Sequence, residues 1–422
     1  MDKRAPPERV LPSLATAEWL LAPEPQKVLG CLAAGHFEAR VAGGAVRNAL
    51  LGRQVCDIDI ATTATPEQVI ATAKTHGLKT VATGIEHGTV TVIVDGKAFE
   101  VTTLRRDVDT DGRHATVAFT DDWAADAARR DLTLNALYCD AGGTIFDPLV
   151  GIDDVVNGRV RFVGDPHARI REDYLRILRF FRFTAEYADA APDAAGLQAA
   201  VSERKGLRRL SAERICAEFT RLLVAPRAVP TLAAMAEYGL LTEILPVAPR
   251  MGILNRLVAI EHANDLKPNA MLRLAGLAVA VHEDALRLTG HLRLSSAERE
   301  TLVRAANLVD ADNAFDEKVQ RAMLYQLGET AFREAVLLAW AQASASVNDR
   351  AWKGYLELPQ RWRPAALPFS GRDIIARGAA PGPLVGEVLR AFERWWIASD
   401  FPVDQELNAA ELERLLHQYQ SL

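Results

Sequence analysis

The run Val41-Ala42-Gly43-Gly44-Ala45-Val46-Arg47-Asn48-Ala49-Leu50-Leu51-Gly52-Arg53-Gln54-Val55-Cys56-Asp57-Ile58-Asp59-Ile60-Ala61 decides how this chain is read. Ala39–Ala42 reads as a short strand, Ala45–Leu51 as a helix and Asp57–Ala61 as a second strand. Strand side chains alternate faces, so Asp57 and Asp59 are expected on one face while Ile58 and Ile60 enter the core. Two carboxylates on one face repel unless a cation sits between them. Hard oxygen ligands select Mg²⁺, which keeps water and recruits substrate phosphates. The paired glycines let the backbone approach a phosphate, and amides at a helix start attract anions. Arg47, in that first turn, can add a charge-assisted bond to a triphosphate. An isolated Asp-x-Asp is more often a solvated sheet edge, and an isolated Gly-Gly is more often a turn. Combined, with Arg47 between them, they point to nucleotide and metal chemistry.

Three further stretches extend this reading. Phe99-Glu100-Val101 repeats the apolar–acid–apolar alternation, which makes Glu100 a candidate third carboxylate; its plainer reading is an exposed strand residue. Arg129-Arg130-Asp131, just ahead of Asn135, is either a solvated charge cluster or a phosphate clamp. In Arg171–Phe183 the arginines Arg176, Arg179 and Arg182 recur every three residues, which places them on one helix face with Asp173 beside Arg176. Such an Asp–Arg pair is usually a surface ion pair worth about 0–1 kcal/mol. It can also read a base, because Asp accepts from an exocyclic amine and Arg donates to a ring nitrogen. Cytosine and adenine offer that pattern and guanine and uracil the reverse. One pair would therefore accept CTP and ATP and reject GTP and UTP. Arg179 and Arg182 would suit phosphates.

The rest of the chain bounds these ideas. Its 422 residues, 49% hydrophobic and 25% charged, exclude a disordered, collagen-like or disulfide-scaffold protein. Apolar runs such as Leu274–Val281 fall short of the roughly 18–20 residues a membrane span needs, and no signal peptide is read. Cys31, Cys56, Cys139 and Cys216 are scattered without a CxxC, which argues against structural zinc and suits the reducing cytoplasm. Net charge is −6, yet residues 159–227 hold 14 Lys/Arg against nine Asp/Glu, the mark of a local polyanion site. Further strands are expected at Thr89–Val94, Ala98–Leu104 and Thr133–Asp140, with a Thr65-capped helix over Pro66–His76. Asp95-Gly96 signals a hairpin. Pro23 and Pro25 are expected to break two short helices within residues 10–36, and Asp153–Gly158 reads as a turn-rich connector. Arg105–Thr120 reads as a mobile loop. From His167 onward the period is helical.

The ordered set Gly43-Gly44-x-x-Arg47, Asp57-x-Asp59, Thr83-Gly-Ile-Glu-His87-Gly-Thr-Val-Thr-Val, Glu100-Val-Thr-Thr-Leu-Arg105, Asp111-Gly-Arg-His114, Arg129-Arg130-Asp131-Leu-Thr-x-Asn135-Ala-Leu, Asp147-Pro148, Glu172-Asp173-x-x-Arg176 and Glu213-Arg-Ile-x-x-Glu218 resembles the class II nucleotidyltransferases, the bacterial tRNA CCA-adding enzymes and poly(A) polymerases. The likeness covers roughly residues 24–225. Thr83–Val94, and the lack of a basic run after Asp57-x-Asp59, favour the CCA-adding branch. Asn48 departs from the Asp common at its position, Leu132 from a Phe. His282-Glu-Asp284 has no second His/Asp pair to make a phosphohydrolase motif.

The resemblance implies an α+β fold: a polymerase-β-like head with a small mixed sheet (24–150), a helical neck (151–225) and a helical body and tail (226–422). It implies that Asp57 and Asp59 hold Mg²⁺, with Glu100 a candidate partner. Gly44, Arg47 and Arg130 would contact the triphosphate, and Asp173, Arg176, Arg179 and Arg182 would complete the nucleotide site. The expected reaction adds CCA to the 3′ acceptor end of tRNA from CTP and ATP, releasing pyrophosphate. Poly(A) synthesis and partial CC or A addition are the alternatives.

Overall fold

The computed structural model describes residues 12–82, 84–111, 114–307, 316–363 and 366–420. The chain divides into two compact units, Met1–Pro246 and Val247–Leu422. In the first unit α1 (Glu18–Leu21) and α2 (Pro23–Ala34) come first. Both prolines lie in the first turn of α2, where no intrahelical N–H bond is lost, so they start this helix rather than break it.

The head alternates β1 (Ala39–Ala42), α3 (Gly44–Leu50), β2 (Asp59–Thr62), α4 (Pro66–Thr75), β3 (Lys79–Val81), β4 (Thr89–Val94) and β5 (Lys97–Thr103). It continues with β6 (Arg105–Asp111), β7 (His114–Phe119), α5 (Trp123–Ala128), β8 (Tyr138–Cys139) and β9 (Ile145–Phe146). Among the described residues the main sheet runs β3-β4-β5-β2-β1-β8-β9. Only β2 and β5 pair parallel, with Asp59 opposite Glu100 and Ile60 opposite Val101. Period-two alternation then sends Ile60, Phe99 and Val101 into the core and leaves Asp59 and Glu100 together on the other face. Helices α2 and α4 pack on the sheet. Thr65 caps α4 reciprocally with Gln68, a device worth about 1 kcal/mol. Asp95 and Gly96, both at positive φ, close the β4–β5 hairpin as expected.

Several expectations are corrected. Asp57 lies two residues before β2, exposed, so strand alternation does not place it. Thr133–Asp140 is not a strand throughout: Thr133–Asn135 is a 3₁₀ turn, and only Tyr138–Cys139 is extended. The Asp131 carboxylate accepts from the Leu132 amide and the Asn135 side chain, which favours a turn over a ladder there. Asp153–Gly158 belongs largely to α6 (Gly151–Val156), whose start is held by Asp147 accepting from the Gly151 and Ile152 amides. Arg105–Thr120 is mostly a paired ribbon, β6 against β7, with residues 112–113 outside the description.

The first unit continues with α7 (Pro166–Glu172), α8 (Leu175–Tyr187), α9 (Ala194–Glu203), α10 (Ala212–Val224), α11 (Ala228–Glu237) and α12 (Leu241–Ile244). The arginine-rich stretch is two helices, not one. Asp173 is extended and its Oδ1 accepts from the Leu175 amide. The Tyr174 ring lies on the Gly206 backbone so closely that a Cβ at 206 would sit 1.9 Å from it, which pins the break. Helix α8 buries Ile177, Leu178, Phe180 and Phe181 and packs on α10 and α11.

The second unit comprises α13 (Met251–Ala263), α14 (Ala270–Ala278), α15 (His282–Leu292), α16 (Ser296–Ala306), α17 (Glu317–Gln342, broken at Gly328), α18 (Arg350–Arg361), α19 (Gly371–Ala376), α20 (Pro383–Ala398) and α21 (Gln405–Gln420). A buried Arg273–Glu261 pair (2.6 Å) joins α13 to α14. Trp340 stacks on Trp352 between α17 and α18, and Phe392, Trp396, Phe401 and Leu412 form a core at the C-terminal end. Asp284 caps α15 by accepting from the Ala280 and Val281 amides, a structural use of the His282-Glu-Asp284 stretch. No helix among the described residues is long and apolar enough to cross a membrane.

Candidate active site

A cavity of about 440 Å³ opens between the head sheet and α8. Gly43, Gly44, Arg47 and Asp59 line it from the sheet and α3. Arg129, Arg130, Asp131 and Asn135 come from the segment after α5, and Asp173, Arg176, Arg179, Arg182 and Phe183 from the neck. Six arginines against three aspartates make it an anion site.

The acidic corner is Asp59. Desolvation by the cavity wall pushes its carboxyl above the usual range, and the like charges of Glu100 and Asp57 add to this while Arg130 opposes it. None of Asp57, Asp59 and Glu100 is ion-paired to a Lys, Arg or His among the described residues. Acids that repel one another, relieved in part by Arg130 and in no direct ion pair, fit a divalent cation. Among the described residues no three His, Cys, Asp or Glu are grouped so as to hold a metal ion by themselves. Mg²⁺ suits such an open arrangement, since it is bound through one or two carboxylates plus substrate phosphates and water.

The arginines are tied from behind. Arg129 and Arg130 both pair with Asp126, which is 1% exposed, and the Tyr138 hydroxyl donates to the same carboxylate (2.7 Å). Burial pushes Asp126 up, but the two arginines and Tyr138 hold it below the ordinary carboxylate range. Arg176 pairs with Glu172 (2.5 Å), Arg182 with Glu218 (2.6 Å), and Arg179 with Asp131 (2.6 Å). Asp131 also sits below its usual range, since Arg179 and its hydrogen bonds overcome burial. A chain of bonds crosses the cavity: Arg47 Nη1 donates to Asn135 Oδ1 (2.5 Å), Asn135 Nδ2 to Asp131 Oδ1 (3.1 Å), and Arg179 Nε to Asp131 Oδ2. Gly43, at φ 67°, is needed where it stands, because a Cβ there would meet Arg130 Nη1 at 3.2 Å and the Asn135 carbonyl at 3.3 Å.

Eight candidates from the sequence line one cavity: Gly44, Arg47, Asp59, Arg130, Asp173, Arg176, Arg179 and Arg182. Asp57 and Glu100 flank Asp59 rather than line the cavity. Asp173 and Arg176 do not pair through their side chains; Asp173 accepts from Arg214 (2.6 Å). Sequence reasoning missed Asp126, although its spacing three and four residues before Arg129 and Arg130 was a signal. It also missed Tyr187, whose hydroxyl accepts from Arg47 and for which no local signal exists.

Residues 39–161 match the poly A polymerase head domain, and 197–251 the probable RNA and SrmB-binding site of polymerase A. The chain is 35% identical to the mitochondrial CCA tRNA nucleotidyltransferase 1 of Mus musculus, spanning 88% of this chain and 85% of that one. It is 31% identical to the CCA-adding enzyme of Lactobacillus helveticus over 88% and 92%. The fold superposes with TM-score 0.71 on the crystal structure of the Bacillus stearothermophilus CCA-adding enzyme in complex with CTP, at 28% identity, covering 94% of this chain and 98% of that one.

Proposed function

The chain belongs to the CCA-adding tRNA nucleotidyltransferase family, and from that premise we propose that it adds CCA to the 3′ end of tRNA by nucleotidyl transfer from CTP and ATP. The observation that carries this reading is the cavity itself, where an acidic corner in no direct ion pair among the described residues meets six arginines. Asp59, with Asp57 and Glu100, would hold Mg²⁺. When bound, that ion lowers the pKa of the attacking 3′-hydroxyl and neutralises charge on the leaving pyrophosphate. Gly44, Arg47 and Arg130 orient the triphosphate and meet charge that builds during attack on the α-phosphorus. Asp173 and Arg176 present an acceptor and a donor to the base, and Arg179 and Arg182 complete that wall. Asp173 is held by Arg214 and the Leu175 amide, and Arg176 by Glu172, so both groups are fixed in place before a nucleotide arrives.

We assign residues 24–150 to the catalytic head, 151–225 to the templating neck and 226–422 to an RNA-binding body and tail. The basic neck would grip the acceptor arm through phosphates and A-form shape, so tRNA affinity falls steeply with salt. Four cysteines, none of them in a disulfide, support a reducing compartment, the cytoplasm.

The test incubates the purified protein with Mg²⁺, tRNA lacking its 3′ end, and CTP and ATP separately and together. CTP alone should add two residues, and both together three. Long tracts from ATP alone would make it a poly(A) polymerase; arrest after CC would make it a partial enzyme.

A further inference from the structure

Arg47 differs from the other arginines of the cavity. It is 6% exposed, whereas the rest are only partly buried, and among the described residues no carboxylate pairs with it. Its hydrogen-bond partners are neutral, while the Glu186 carboxylate acts on it and on Tyr187 from nearby. Nε and Nη2 donate to Asn48 Oδ1 (3.2 and 3.1 Å), Nη1 to Asn135, and Nη2 to the Tyr187 hydroxyl (2.8 Å). The guanidinium centre lies 4.2 Å from the Tyr187 ring centroid. Tyr187 ends α8, so the neck supplies both a hydroxyl and an aromatic face to a head arginine.

Asn48 belongs to the same device. The Tyr187 hydroxyl donates to Asn48 Oδ1 (3.2 Å), and Asn48 Nδ2 donates to the Gln54 carbonyl (3.4 Å). An amide serves both contacts, as acceptor and donor. A carboxylate at 48 would face the Gln54 oxygen with no proton and would neutralise Arg47. A buried cation left with only neutral partners keeps its charge for an arriving anion.

We propose that Tyr187 is a positioning residue for the triphosphate: with Asn48 it fixes the Arg47 guanidinium on the cavity wall through uncharged hydrogen bonds, so that Arg47, in direct contact with no carboxylate, meets a phosphate. This rests on the triphosphate reading above. It separates two jobs, since loss of Tyr187 should weaken phosphate recognition and leave base selection alone.

The test measures CTP and CMP binding to the full-length protein with Mg²⁺ by calorimetry. In Tyr187→Phe, which keeps the ring and deletes the hydroxyl, the ratio of CTP to CMP affinity should fall about tenfold, the size of one lost bond to a charged group. CMP affinity should stay within about twofold, and discrimination against GTP should not move. Asn48→Asp, which keeps Tyr187 but pairs Arg47 with a carboxylate, should lower the same ratio about threefold. Equal losses for CTP and CMP, or an unchanged ratio in both variants, would overturn the assignment. A wild type that binds CTP no better than CMP would instead remove the triphosphate reading beneath it.

Discussion

The two walls of the cavity are opposite in kind. On the sheet side, Asp59 and Glu100 stand side by side across β2 and β5, in no direct ion pair among the described residues and relieved only in part by Arg130. On the neck side each arginine of α8 already has a carboxylate: Glu172 for Arg176, Asp131 for Arg179, Glu218 for Arg182. The sheet wall carries repulsion that Arg130 relieves in part and a bound cation would remove. The neck wall is satisfied beforehand, so its donors are held in place before any nucleotide enters. Ion-dependent chemistry and base reading therefore ask different things of the fold, and variants on the two walls should fail in different ways.

The sharpest break should come from the sheet wall. Asp59→Ala should cut nucleotide incorporation by about 10³-fold or more, because it removes a group that acts on charge in the transition state. Binding of tRNA, measured by filter retention, should be unchanged. An active Asp59→Ala would erase the contrast between the walls. On the neck wall, Asp173→Ala and Arg176→Ala should leave the reaction running but relax the preference for CTP and ATP over GTP and UTP by about 10–100-fold, the cost of unpaired polar groups being lost. If both variants kept full selectivity and changed only thermal stability, these residues would be structural.

How far the sequence reveals these walls follows from how local each is. The acid on β5 was readable from Phe99-Glu100-Val101, because alternation is a property of three neighbouring residues, and the register with Asp59 confirms the placement on one face. Asp57 was misread because β2 begins later than its pattern suggests, which leaves Asp57 in the approach to the strand. The arginine spacing on α8 was readable, but the partners were not. Asp131 reaches Arg179 across 48 positions and Glu218 reaches Arg182 across 36. Tyr187 meets Arg47 across 140. The helix break at Asp173 depends on Tyr174 settling against Gly206, which is also a tertiary event.

Between the two walls, Asp126 anchors both Arg129 and Arg130. Asp126→Asn should lower stability by about 2 kcal/mol, less than for a wholly buried pair because the arginine side chains keep 17% and 20% of their surface exposed. Its folded pKa lies below the unfolded value, so its contribution is complete above about pH 4 and fades as pH falls through the folded value. Denaturant unfolding at pH 7 and pH 3 should show the gap between wild type and variant narrowing at the lower pH. A gap independent of pH would mean that shape, not charge, is what Asp126 supplies.

The smallest effect is also the one that tests the sheet wall most directly. Asp59 has its folded pKa held above the unfolded value, chiefly by desolvation and then by Glu100, so its ionised form is disfavoured by folding. Stability of the metal-free protein therefore declines as pH rises through that value, and Asp59→Asn should recover it. Solvent access to the carboxylate keeps the gain near 0.5 kcal/mol at pH 7. Mg²⁺ should reverse the order, raising the melting temperature of the wild type through binding to the folded state while leaving Asp59→Asn unmoved. A variant that is less stable than wild type without metal would mean that Asp59 is satisfied by the fold itself, and the difference between the two walls would vanish.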